Sequence, residues 1–173
     1  MTRARDVATQ GGLVLLNTTT FSAQSTVSIN NVFTSAYQNY EIRLNVTGKS
    51  ATGAIFLRYR ASGTDNSASS YTYATIYIRP TGTSAADAAL NTTATVIGTS
   101  FAAYNVSSIV QVFNPQLAAN TDETHQSWSG DASSFFSYQG GGTFSNTNVF
   151  DGFTIYPASG NITGTIRIYG IRN

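Results

Sequence analysis

The 173-residue chain has no cysteine, which excludes disulfides, thiolate metal sites and cysteine nucleophiles. Proline occurs three times, methionine and histidine once each, and Lys49 is the single lysine among nine basic residues. Charged side chains make up 10% of the chain, against about a quarter in an ordinary soluble domain. A net charge of +1 supplies no basic field for a phosphate backbone, so no nucleic-acid partner is expected. Long apolar runs are also missing. Leu13-Val14-Leu15-Leu16 is too short for the core of a signal peptide or for a membrane span, so no membrane insertion is expected.

What is present is neutral polarity. Thr, Ser and Asn number 25, 20 and 14, while 41% hydrophobic and 12% aromatic residues make the chain too apolar for disorder. One folded domain with a real core is the expectation. A Ser/Thr/Asn surface with little lysine or methionine suits a protein that is made in a host cytoplasm and then works outside it after lysis. A virus particle does this.

Period-two alternation recurs in short runs, as in Tyr40–Thr47 with Ile42, Leu44 and Val46 on one face, and Thr163–Gly170 with Ile162, Ile166 and Ile168 on one face. These are half-buried antiparallel strands. Ala54–Arg60, Tyr71–Arg79, Thr93–Ser100, Val106–Phe113, His125–Gly130, Phe135–Tyr138 and Val149–Tyr156 are further candidates. Eight to ten strands without a helical crossover predict an all-β antiparallel sandwich, jelly-roll-like. Residues 1–12 read as an irregular N-terminal docking arm and 13–173 as the β-sandwich domain. A helical turn is expected in Ala85–Leu90 or near Phe33–Tyr37, and Gln139-Gly140-Gly141-Gly142 reads as a turn.

Sheet edges are commonly blunted by Lys or Pro, and both are scarce here. Copies of the same chain are the economical cover, because the cores of subunit interfaces are also poor in charge.

Catalytic chemistry finds few parts. His125 stands alone, without a second His or Cys for zinc, and reads as a solvent-exposed loop residue. No Gly-x-Ser-x-Gly elbow is present. The eight acids read mostly as turn residues. Gln139–Thr143 lacks the Lys and the helix of a phosphate loop. The expectation is no enzyme, no metal and no cofactor.

Aromatic residues are the binding candidates. Tyr71, Tyr73 and Tyr77 alternate with Ile76 and Ile78, so an isoleucine core would turn the tyrosines outward. Trp128, near Phe135, Phe136 and Tyr138, forms a second aromatic group. Interface, core and glycan contact are all open to these residues.

Three stretches carry a resemblance: Ser28–Leu44, Leu57–Asn66 with Tyr71-Thr72-Tyr73, and Asp151–Pro157 with Gly164–Gly170. They resemble β-sandwich domains of tailed-bacteriophage virion proteins, and Arg3–Leu13 resembles the start of phage structural proteins. The resemblance implies a homotrimer that contacts other virion proteins, with Arg3 and Arg5 as candidate docking residues. It also implies a non-enzymatic role in host attachment, as a short tail fibre or tail-tip component that touches host surface polysaccharide. A long fibre is disfavoured because no shaft or coiled coil precedes the sandwich. A capsid decoration protein and a carbohydrate-binding module are the alternatives.

Overall fold

A computed structural model describes residues 12–100, 104–130 and 135–172. Thirteen strands and no helix lie among them: β1 Gly12–Gln24, β2 Val27–Ile29, β3 Asn39–Lys49, β4 Gly53–Ala61, β5 Thr64–Asp65, β6 Tyr71–Ile78, β7 Ser84–Thr92, β8 Thr95–Ser100, β9 Val106–Phe113, β10 Thr121–Gly130, β11 Phe135–Phe144, β12 Gly152–Pro157 and β13 Ile162–Arg172. They form two antiparallel sheets. The larger has eight strands in the order β1-β13-β3-β9-β10-β11-β6-β7, and the smaller runs β2-β12-β4-β5, with β8 also paired to β4.

Eight of these strands, β1, β2, β3, β4, β8, β9, β12 and β13, have a simple order when numbered along the chain. One sheet runs first-eighth-third-sixth and the other second-seventh-fourth-fifth, which is the order of a jelly roll. Two insertions then widen the larger sheet on one side. The segment β5–β7 enters between β4 and β8, and the hairpin β10–β11 enters between β9 and β12. The second sheet ends at β8, which packs across the inner face of β10. The inner faces of β11, β6 and β7 therefore extend beyond its cover.

The core follows from alternation. Ile42, Leu44 and Val46 of β3, Val106, Val110 and Val112 of β9, and Ile166 and Ile168 of β13 are buried against Ile55, Leu57, Phe153 and Ile155 of the second sheet. At one end the sheets are joined by rings. Tyr71 on β6 accepts a hydrogen bond from the Tyr59 amide of β4 at 2.9 Å and donates to the Asn66 carbonyl at 2.9 Å. Its ring stacks on Tyr59 at 5.9 Å and meets Phe144 edge-on at 4.8 Å, contacts worth about 0.5–1.5 kcal/mol each beyond burial.

Several expectations are corrected. The described residues hold more strands than eight to ten because β1 and β7 carry no clean alternation and β2 and β5 are only 3 and 2 residues long. In β1, register shifts at Leu15/Asn17 and Phe21/Gln24 break the period. Ala85–Leu90 is part of β7, not a helical turn: pairing with β6 overrides the helix propensity of alanine. No helix forms near Phe33–Tyr37 either. Gln139–Gly142 lies inside β11 and is paired on both sides. Arg3 and Arg5 lie outside the described residues, and the first described residue, Gly12, already pairs with Arg172.

Burial sets the response to alkali. Lys49 donates to the Gly53 carbonyl at 2.7 Å, and desolvation lowers its pKa to about 8. The unfolded chain thus holds this proton more tightly, so stability rises as pH increases from about 8 towards the ordinary lysine range. Desolvation holds Tyr59 and Tyr71 protonated well above the ordinary 10.0, so stability falls once pH passes about 10. Urea midpoints across this range should rise and then fall, and Lys49→Met should remove the rise while leaving the fall.

Candidate functional site

Where the two sheets part company, the inner face of the larger one changes character. Strand β10 turns Thr121, Glu123, His125, Ser127 and Ser129 inward, and all five are buried. His125 is 2% exposed. It is therefore a buried strand residue and not the expected loop histidine. Its place is fixed by alternation over Thr121–Gly130, a run whose inward side is entirely polar and so gave no hydrophobic signal.

The buried polar groups form a chain. His125 Nδ1 lies 3.1 Å from Glu123 Oε2, and His125 Nε2 lies 3.1 Å from Thr75 Oγ1 on β6. Thr95 Oγ1 of β8 donates to Glu123 Oε1 at 2.9 Å. With the carboxylate accepting from Nδ1–H, Nε2 is left to accept from the Thr75 hydroxyl.

This chain crosses β11 only because β11 is glycine there. Gly140 sits between His125 and Thr75 in register. A Cβ on Gly140 would collide with Thr75 Oγ1 and fall 2.6 Å from the Ala74 carbonyl oxygen and 2.9 Å from His125 Nε2. One on Gly142 would lie 2.8 Å from Glu123 Oε1 and 3.0 Å from Thr95 Oγ1. The glycine run is thus a thinned strand through which side chains of β10 reach β6 and β8.

Beyond this chain lies a cleft of about 400 Å³ between β8 and the overhanging strands. Thr75 forms part of its wall. Tyr77, Phe136 and Tyr138 group there, with Tyr77 centroids 6.1 Å from Phe136 and 5.3 Å from Tyr138. The Arg79 guanidinium lies over Tyr77 at 5.5 Å and over Phe136 at 5.4 Å. Asp87 of β7 also lines the cleft and stands opposite Thr75 in register. Among the described residues neither Arg79 nor Asp87 forms an ion pair. Burial raises the Tyr138 hydroxyl pKa.

The predicted tyrosine stripe is inverted. Tyr71 is core, Tyr73 and Tyr77 are half-buried on the inner face, and Ile76 and Ile78 point outward at 52% and 54% exposure. The reason is the anchor at Tyr71: once its ring joins the inter-sheet cluster, alternation sends Tyr73 and Tyr77 the same way. The second aromatic group is divided between faces. Phe136 and Tyr138 point inward, while Trp128 is half-buried on the outer face, opposite Ser137 in register. Acids expected in turns lie on strands instead: Glu41 on β3, Asp65 on β5, Asp87 on β7, and Asp122 and Glu123 on β10. Sequence reasoning missed Thr75, Arg79, Asp87 and Glu123 as site residues, because strands distant in sequence bring them together; Tyr138 was named only as part of the second aromatic group.

A threonine, a histidine and a glutamate in this order resemble an activated nucleophile. Thr75, however, lies mid-strand between β11 and β7, where ladder pairing engages the backbone N–H groups that an oxyanion would need. The chain positions the Thr75 hydroxyl. No group of three or more His, Asp or Glu residues placed to hold a metal occurs among the described residues.

No protein-family model and no curated protein matches the chain. Among solved structures, a galectin of Caenorhabditis elegans aligns over 94% of this chain and 100% of its own, with TM-score 0.37 and 10% identity. A likeness at that level carries no inference about a ligand.

Replacing Gly140 by alanine should destabilise the fold by about 1–3 kcal/mol through overpacking. Gly48→Ala, where a Cβ meets only the Thr163 side chain, at 3.5 Å and 3.9 Å, should stay within about 0.5 kcal/mol. Urea denaturation of the two variants checks the contrast. Thr75→Val leaves His125 Nε2 without its donor and should cost about 1–3 kcal/mol in the same assay.

Proposed function

We propose that the chain is a non-enzymatic structural protein of a bacteriophage virion, a short tail fibre or tail-tip component that assembles as a homotrimer and works in host attachment. The sequence resemblance supplies the particle, and the jelly-roll order is one that viral capsid and lectin domains use. The observation that carries self-assembly is the outer face of the insertion.

There Ile76 and Ile78 stand exposed, Phe135 is 42% exposed and Leu90 74% exposed. Trp128 shares the face two strands from Ile78, through Ser137. The outermost strand β7 has no Lys or Pro along Ser84–Thr92, and its one charge, Asp87, lies on the cleft side. Unguarded edges and large apolar side chains grouped on one exposed face mark association surfaces. Ile76, Ile78 and Trp128 have no charged register neighbour on this face, so a second copy meets no like charge there.

Sedimentation at micromolar concentration should give three times the 18.4 kDa chain mass. Ile76→Asp with Ile78→Asp should yield a folded monomer, and a stable monomer of the unmodified chain would sink the reading. Quantitative mass spectrometry of purified particles should find tens of copies or fewer. Hundreds would make it a capsid decoration instead.

A further inference from the structure

Strands β6 and β7 have two faces, and the outer one is assigned above to neighbouring copies. We propose that the inner one, the cleft against β8, binds one pyranose ring of a neutral saccharide. Tyr77 stacks on the ring face, while Arg79 and Asp87 hydrogen-bond its hydroxyls. This deepens the attachment reading by naming the ligand class and the site.

Size comes first. About 400 Å³ is at the lower end of ligand clefts and admits a single ring. Shape and chemistry follow. Tyr77, half-buried above Phe136 and Tyr138, offers a π-face to the axial C–H groups of a sugar. Arg79 is already held against two rings, which orders its planar fork of donors before any ligand arrives. Asp87 is an acceptor-only group on the facing strand. Together they match the mixed donors and acceptors of a polyhydroxyl ring.

The Thr75 wall adds direction. With a neutral His125 ring whose Nδ1–H is on Glu123, the Thr75 hydroxyl donates to Nε2, and its oxygen lone pairs are left to accept from a ligand hydroxyl. The Glu123–His125 pair is thereby a positioning device for one acceptor.

Other ligand classes fit less well. An acyl chain would desolvate Arg79 and Asp87 without partners. A phosphate or carboxylate would face Asp87. One positive and one negative side chain leave the lining neutral, as the ligand should be.

The full chain is titrated with the methyl glycosides of glucose, galactose, mannose and N-acetylglucosamine and followed by amide and arginine Nε–H NMR shifts. At least one glycoside should give saturable shifts at Arg79, Thr75 and Phe136. Tyr77→Ala and Asp87→Asn should each weaken binding by about tenfold or more, and Ile78→Asp, on the opposite face, should leave it unchanged. The exposed Asp87→Asn keeps the test valid should Tyr77→Ala fail to fold. No saturable shift at these residues with any of the four, or binding unaffected by Asp87→Asn, would overturn the site. Particles carrying Asp87→Asn that bind no sugar yet adsorb to their host at the normal rate would leave the site standing and overturn the attachment role.

Discussion

The larger sheet is wider than the sheet that covers it. Eight strands face five, and the jelly-roll order accounts for the equal part of each. The four strands that the two insertions add to the larger sheet have an inner face that β8 only begins to cover. Every unusual feature of the inner surface lies on one side or the other of that boundary: aliphatic packing from β13 to β9, a polar stripe on β10, glycine on β11, and tyrosine and aspartate on β6 and β7. A sheet face that is half under cover and half in solvent cannot be uniformly apolar. The side chains grade accordingly.

The polar stripe is kept stable by reach. Glu123, His125 and Thr95 satisfy one another, and the last link to Thr75 spans a strand whose side chains have been removed. Two neighbouring serines on β10, Ser127 and Ser129, have no hydrogen-bond partner among the described residues. Ser127 also lies where β8 approaches closely, since a Cβ on Gly98 would sit 2.9 Å from its Oγ. Small residues there let the sheets come together, and β8 becomes one wall of the cleft. Packing at the boundary thus sets both the hydrogen-bonded chain and the shape of the opening beside it.

Much of the jelly roll was legible, because strands β3, β9 and β13 each alternate β-branched or aliphatic residues with polar ones, and only one face of such a strand can be buried. The insertions were not. Strand β10 buries its polar residues, β7 is built of alanine and serine, and β11 carries three glycines, so hydropathy, propensity and turn chemistry each pointed elsewhere. Tyr77 was singled out from sequence, but with the wrong face. Arg79, Asp87 and Thr75 gave no signal, since nothing local distinguishes them from other strand and turn residues.

The amino-acid sequence alone determined that this chain is an all-β, cysteine-free, charge-poor domain with strands short enough to need a two-sheet core. Those properties depend on composition and on neighbours two residues apart. Which face of the tyrosine strand is inside, which glycines are thin strand and which are turn, and where a lone histidine finds its partners were decided only in the tertiary structure. Each depends on contacts between strands far apart in the chain, as His125 and Thr75 are by 50 residues, and on where the second sheet ends.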